Sequence, residues 1–260
     1  MDIHKPKAAH SWREFAIEIG TIILGILIAL SLEQGVEELR WNERVAVTRE
    51  QLNAELKDDA ASGLIWISVG RCLDQQLDTL SEHVWTARST GTFAPLASPY
   101  APPLEMFLND AWLNARSLQV SDHLSSDEVG NYSTVYFFPA ELKDNVIALH
   151  QAAAALEPLS RKLDRVTAEE ADQFIGRISQ AREMQFRMIY ASLLLIQSAE
   201  RVGVSAEVGA NRAANVRRHF GSCALDQGHI IDVLHSARGL DALARLGFRL
   251  PAVGKSHYGP

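Results

Sequence analysis

Four residues near the C-terminal end, Asp226, His229, Asp232 and His235, have the types and spacing used by metal-ligand sets and by carboxylates that orient imidazoles. Each Asp stands three positions before a His, so on a helix each pair shares a face, where it can bind an ion or fix a histidine tautomer. Positions advancing by three drift about 60° per step on a 3.6-residue helix. The four groups therefore spread over half the circumference, and one ion cannot take all of them from one helix. They are the chain's metal candidates; solvated side chains with local hydrogen bonds are the plainer expectation. The chain has no Gly-rich phosphate loop, no His-Glu-x-x-His, no Gly-x-Ser-x-Gly and no Cys-x-x-Cys, each of which carries a mechanism in its spacing. The expectation is a protein that is not an enzyme and that uses no cofactor.

Three further groups carry possible chemistry. Cys72 and Cys223 are the two cysteines; in an oxidising compartment they would close a loop of about 150 residues, and in a reducing one they would be buried thiols. Tyr132, Tyr136, Phe137 and Phe138 cluster in sequence; they either line a pocket or, as aromatic residues in helical proteins usually do, fill a core. His150 follows the apolar position Leu149 and reads as a histidine at a core edge.

The element that positions everything else is Ser11 to Trp41. Ile19 to Leu32 carries no charge, and Phe15 to Leu32 carries only Glu18; a run of this length lies at the low end of what crosses a bilayer. Trp12 and Trp41 stand twenty-nine positions apart, about 44 Å on a helix, which is the spacing of two aromatic belts. Ser11 and Glu14 have capping-box spacing. A signal peptide cleaved near Ala29-Leu30-Ser31 and the buried helix of a soluble core are the competing readings. Within the span, Glu18, Thr21, Gly25 and Ala29 fall three or four positions apart and share one face. Small residues so spaced admit a second helix, and a carboxylate at membrane depth turns toward protein or water. This face is the expected partner interface; the equal alternative is that Glu18 sits among the headgroups and that the small residues, common in membrane helices, have no partner.

The chain has 25 Lys and Arg against 32 Asp and Glu, a net charge of −7, and its first 32 residues carry three of each sign, so the acidic excess belongs to the rest. That balance excludes the basic footprint of a nucleic-acid binder. Basic residues flank the span evenly, Lys5, Lys7 and Arg13 before it and Arg40, Arg44 and Arg49 after it. The acids Glu33, Glu37, Glu38 and Glu43 favour an N-terminus kept in the cytoplasm and a main domain in the periplasm.

After Leu32 the pattern Val36, Leu39, Val45, Leu52, Leu56 predicts that the anchor continues as an amphipathic stalk. It does not keep a strict seven-residue repeat, so a bundle is expected in place of a simple dimeric coiled coil. A weak point is expected at Asp58 to Gly63, then a second helix over 64–87 and a Pro-, Gly- and Ser-rich loop over 88–103. Pro103 is expected to open a short helix through Trp112 and Ala115. Ser125 and Glu128 form a capping box before a helix containing Tyr132, and Pro139 is expected to begin another that Pro158 ends. Thr167 and Glu170 cap a helix over 168–202 whose Met188 to Ile196 is apolar nearly all round, as in a central core helix, and Gly203 stops it. Two weaker helices follow, near 206–220 and 224–246.

The segment Glu18-Ile-Gly-Thr-Ile-Ile-Leu-Gly-Ile-Leu-Ile-Ala-Leu30, followed by Trp41-Asn-Glu-Arg44, resembles a broad group of uncharacterised small bacterial proteins with one N-terminal membrane helix and a helical domain. Trp112-Leu-Asn-Ala-Arg-Ser117, Leu124-Ser125 and Tyr132-x-x-x-Tyr136 are similar to the middle of some of them. The resemblance implies a Gram-negative inner membrane and brings no activity or site residues. The combined expectation is an all-α protein: a tail over 1–10, a transmembrane helix with flanks over 11–41, a helical bundle over 42–250 and a tail over 251–260. Its expected role is an accessory or assembly subunit of a membrane complex, touching the bilayer, other membrane subunits and, as a further option, a second copy of itself. A sensor-like, ligand-binding bundle is the alternative.

Overall fold

The computed structural model describes residues 12–94, 96, 100–160 and 165–250; the expected Ser11 cap and both tails lie outside them. The protein is all-α. Helix α1, Trp12–Thr90, runs 79 residues without a break, about 120 Å. It is followed by α2 (Asp110–Ser117), α3 (Ser126–Leu156), α4 (Ala168–Ala199), α5 (Ala210–Phe220), α6 (Gln227–Ser236) and α7 (Gly239–Arg245), with short 3₁₀ turns between several of them.

One helix, near the N-terminus, is long and apolar enough to cross a membrane: the best 18-residue window of α1 has mean hydropathy 2.4, and none of it is buried. That exposure removes the core-helix reading. Only from Val45 onward does α1 enter the protein's interior.

The bundle is built on α1, α3 and α4. Leu52, Leu56, Leu73, Leu77, Leu80 and Val84 of α1 pack with Leu142, Val146 and Leu149 of α3 and with Ile178, Ala181, Met188 and Leu195 of α4. A second cluster joins Leu64 and Ile67 of α1 and Leu193 and Ile196 of α4 to Ile230 and Leu234 of α6 and Leu243 of α7. Cross-links fix the directions. Arg49 meets Glu128 near the start of α3, whereas Arg88 meets Asp172 near the start of α4, so α3 runs parallel to α1 and α4 antiparallel.

The expected break at Asp58 to Gly63 is absent. Ala60, Ala61, Ser62 and Gly63 are buried because this is where α4 comes closest: a Cβ on Gly63 would lie 3.3 Å from Ser192 Cβ. Small residues that weaken a lone helix permit this contact, and its packing outweighs about 1 kcal/mol of glycine propensity. Pro139 likewise does not begin a helix. It is buried inside α3, which runs unbroken past it, because flanking contacts through Val135, Tyr136, Leu142 and Val146 offset the roughly 3 kcal/mol that an interior proline costs.

The capping boxes at Ser125–Glu128 and Thr167–Glu170 both close with side chain and backbone bonded reciprocally. Gly203, at φ 79°, ends the turn after α4. The C-terminal pair departs from expectation: α5 begins at Ala210, and the stretch 224–246 divides into α6 and α7. Buried Gln197 causes the division, because its Nε2 donates to Leu234 O at 3.2 Å and Ala237 O at 2.8 Å, and its Oε1 accepts from Gly239 N at 3.5 Å.

Candidate functional site

Pro103 starts no helix. Pro102-Pro103 biases the backbone to the extended form, and residues 101–109 run as a non-helical strap back along α1 toward its apolar N-terminal part. Ala101 N donates to Gln76 Oε1 at 3.2 Å and Leu108 N to Asp59 Oδ1 at 2.9 Å. The seven extended steps from Ala101 to Leu108 cover about 24 Å, and the seventeen helical steps from Gln76 to Asp59 cover about 25 Å. The strap and helix therefore stay in step.

The strap is tied from beneath and apolar above. Glu105 receives Arg212 of α5 and the Ser62 hydroxyl, Arg212 Nη2 also donates to Ser62 Oγ at 2.8 Å, and Trp66 Nε1 reaches Glu105 O at 3.5 Å. His150 Nε2 lies 3.3 Å from Pro103 O, a histidine at the core edge. Glu55 accepts from Ala111 N with both oxygens at 3.1 Å, capping α2 from another helix where Asn109 provides no side-chain cap. Phe107 is buried while Leu104, Met106 and Leu108 alternate outward, Leu104 at 77 % exposure.

Asp59 sits under this strap, 2 % exposed. Its Oδ1 holds Leu108 N, and its Oδ2 has no hydrogen-bond partner among the described residues. Burial, followed by the charges of Glu55 and Asp58, pushes its carboxyl up to about 8 against the partial relief of the Leu108 bond. Glu128 shows the opposite case: Arg49, at 2.7 and 3.1 Å, and the Ser125 cap hold it down to about 2.

The anchor residues Glu18, Thr21, Gly25 and Ala29 are all exposed on the lone part of α1. Thr21 Oγ1 donates to Ile17 O at 2.8 Å, so its hydroxyl is satisfied by its own helix. A Cβ on Gly25 would meet nothing within 4 Å among the described residues.

The other candidates disperse. Asp226 is the N-cap of α6, accepting from His229 N at 3.1 Å, and His235 Nε2 pairs with Glu200 Oε1 at 3.0 Å. Asp232 joins neither pair, and among the described residues no three His, Cys, Asp or Glu side chains gather to hold a metal ion. Cys72 on α1 and Cys223 after α5 form a disulfide, Cα atoms 5.5 Å apart across a sequence separation of 151. Tyr132 and Tyr136 are core residues beside Trp112, their hydroxyls donating to Asn53 Oδ1 at 3.0 Å and Leu52 O at 2.9 Å. Phe137 is exposed and leaves that cluster. A cleft of about 840 Å³ lies elsewhere, between Asp74 and Asp78 of α1, Arg182 and Phe186 of α4, and Phe248. Asp78 there carries both Arg182 at 2.9 Å and Arg249 at 3.0 Å.

Sequence reasoning missed the strap, although Leu104, Met106 and Leu108 alternating with Glu105 and Phe107 is a period-two pattern. It also missed Asp59, whose burial is a tertiary consequence of the strap. No family model, characterised protein or solved structure matches the chain.

Proposed function

We propose that the protein is a non-enzymatic, membrane-anchored accessory or assembly subunit of a larger membrane complex, in a bacterial inner membrane with its bundle in the periplasm. The observation that carries this reading is the pair of apolar surfaces left bare on one rigid framework: the anchor face of α1 and the Leu104/Met106/Leu108 strip. A contiguous exposed apolar patch on a well-packed domain marks an interaction surface, and the strap's polar ties hold this one in place. The Cys72–Cys223 bridge supports the periplasmic side, where disulfides persist. Membrane subunits of other chains and the bilayer are the partners in this reading; nucleic acid is not.

Gentle detergent extraction followed by mass spectrometry of co-purifying proteins tests it. Other membrane subunits should co-purify in fixed proportion and be lost when Leu104 and Met106 are both changed to Ser. Extraction free of other proteins overturns the reading. The cleft at Asp74 and Phe186 favours a second, ligand-binding reading, which predicts a thermal shift with a small-molecule pool that Phe186→Ala abolishes.

A further inference from the structure

We infer that the face of α1 carrying Ile22, Gly25, Ala29, Leu32, Val36 and Leu39 is the seam of a parallel, two-stranded contact with a second copy of this chain. The inference rests on the membrane-anchored reading above and names the occupant of the anchor face.

The apolar stripe does not stop where the hydrocarbon does. Phe15 to Leu32 measures about 27 Å as a helix, close to the full apolar thickness of a bilayer, so Val36 and Leu39 stand outside it. They are nonetheless exposed, Val36 at 49 % and Leu39 at 71 %, on a part of α1 that the bundle does not cover.

They are not a frayed edge of the bundle. At about 100° per residue, Leu39 and Val45, the first buried position of α1, point about 120° apart. The bundle's membrane-proximal contact is also on another side: Trp41, roughly opposite Leu39 on the helix, stacks on His123 at 3.9 Å and carries Arg44 over its ring. The bundle closes on one face of α1 and leaves the Val36/Leu39 face open.

The spacing selects the geometry. Positions 22, 25, 29, 32, 36 and 39 advance by 3, 4, 3, 4 and 3, the repeat that puts one helix against another in a left-handed coil. The competing stripe, Thr21, Gly25 and Ala29 in steps of four, continues outside the membrane into Glu33 and Glu37. It shares Gly25 and Ala29 with the seam but has no apolar continuation beyond the hydrocarbon. Val36 falls at the a position and Leu32 and Leu39 at d, the branched-then-Leu choice that favours two strands. Glu43 takes the next a position and ends the seam just before Val45 is buried.

A second copy fits this face because both copies cross the bilayer in the same direction at the same depth, which places each residue opposite itself. Small residues then meet small ones within the hydrocarbon, and Val36 and Leu39 meet their equivalents at headgroup level beyond it. Glu18 lies at a d position of the same register; one polar seam position fixes register and strand number at some cost in stability.

The test uses the full chain in membranes. Cys72 and Cys223 are bonded to each other and no free cysteine is present among the described residues, so an introduced cysteine reports alone. Leu39→Cys and Val36→Cys, treated with a mild copper oxidant, should give a covalent product of twice the chain mass, several-fold more than Gln34→Cys and Glu38→Cys, which lie off the seam. Adding Gly25→Leu to Leu39→Cys should lower that product. Equal yields at all four positions, or no product, overturn the inference. So does a product of Leu39→Cys with a chain of different mass, which would instead support the accessory-subunit reading. A doubled-mass product with nothing else co-purifying leaves the seam standing and removes that reading.

Discussion

Replacing Asp59 by Asn should stabilise the protein at neutral pH and flatten the dependence of its stability on pH. The native carboxyl holds its proton up to about 8, against an ordinary value of 3.8. Between those values the unfolded chain has lost the proton and the folded chain has kept it, so stability falls as pH rises, by about 1.4 kcal/mol per pH unit. The cost is absent below pH 3.8, where both states are protonated, and complete above the folded value. At pH 7 it is on the order of 4 kcal/mol. An Asn keeps an oxygen for Leu108 N and places an amide where Oδ2 stands without a partner, so the hydrogen-bond inventory changes little while the charge is removed. Urea or thermal unfolding of the full chain in detergent, followed by circular dichroism at pH 4, 5.5, 7 and 8, should show the two proteins alike at pH 4. At pH 7 the variant should be ahead by roughly 8–16 °C in Tm. Parallel curves displaced equally at every pH would refute the reasoning, because they would mean that Asp59 contributes through packing and not through its proton.

Three further outcomes follow from packing and connectivity. Gly63→Leu should destabilise the bundle by about 1–3 kcal/mol or more, because even a Cβ there meets Ser192 at 3.3 Å; chemical denaturation reads this directly, and Gly35→Leu, at a position open on all sides, serves as the control. Cys72→Ser should lose up to about 5 kcal/mol in the chain-entropy view of a loop this long, and the wild-type chain should run differently on reducing and non-reducing gels. Glu105→Ala should free the strap from Arg212 and Ser62, raising amide exchange over residues 101–109 while α4 stays protected.

What the sequence reveals and what it conceals divide by range. Ser125–Glu128, Thr167–Glu170 and Gly203 are legible because a cap is decided by residues within one turn of each other. The span of α1 and the core role of Met188 to Ile196 are legible because their pattern extends over several turns. Asp58 to Gly63 and Pro139 mislead for the opposite reason: their local propensities are poor, and what keeps α1 and α3 continuous is contact with helices distant in sequence. The α6–α7 division depends on Gln197, some forty residues away. The strap combines both cases, since its alternation is local but its path is fixed by Glu55, Asp59 and Arg212 on other elements. The stalk is subtler: Val36 and Leu39 read as one stripe with Val45 and Leu52, whereas they face another direction.

The unbroken course of α1 means that its apolar N-terminal segment and the bundle share one angular reference. A helix turns about 100° and rises 1.5 Å for every residue, and no joint lies between Leu39 and Val45 to absorb a mismatch. One residue inserted there would swing the whole bundle by about 100° around the anchor axis while raising it hardly at all. Seven inserted residues would restore nearly the original bearing and carry the bundle about 10 Å farther from the apolar segment along the helix axis. The fourteen residues from Leu39 to Leu52 thus act as a setting that, in the membrane-anchored reading proposed above, fixes both the direction in which the Leu104/Met106/Leu108 strip faces around the membrane normal and its height.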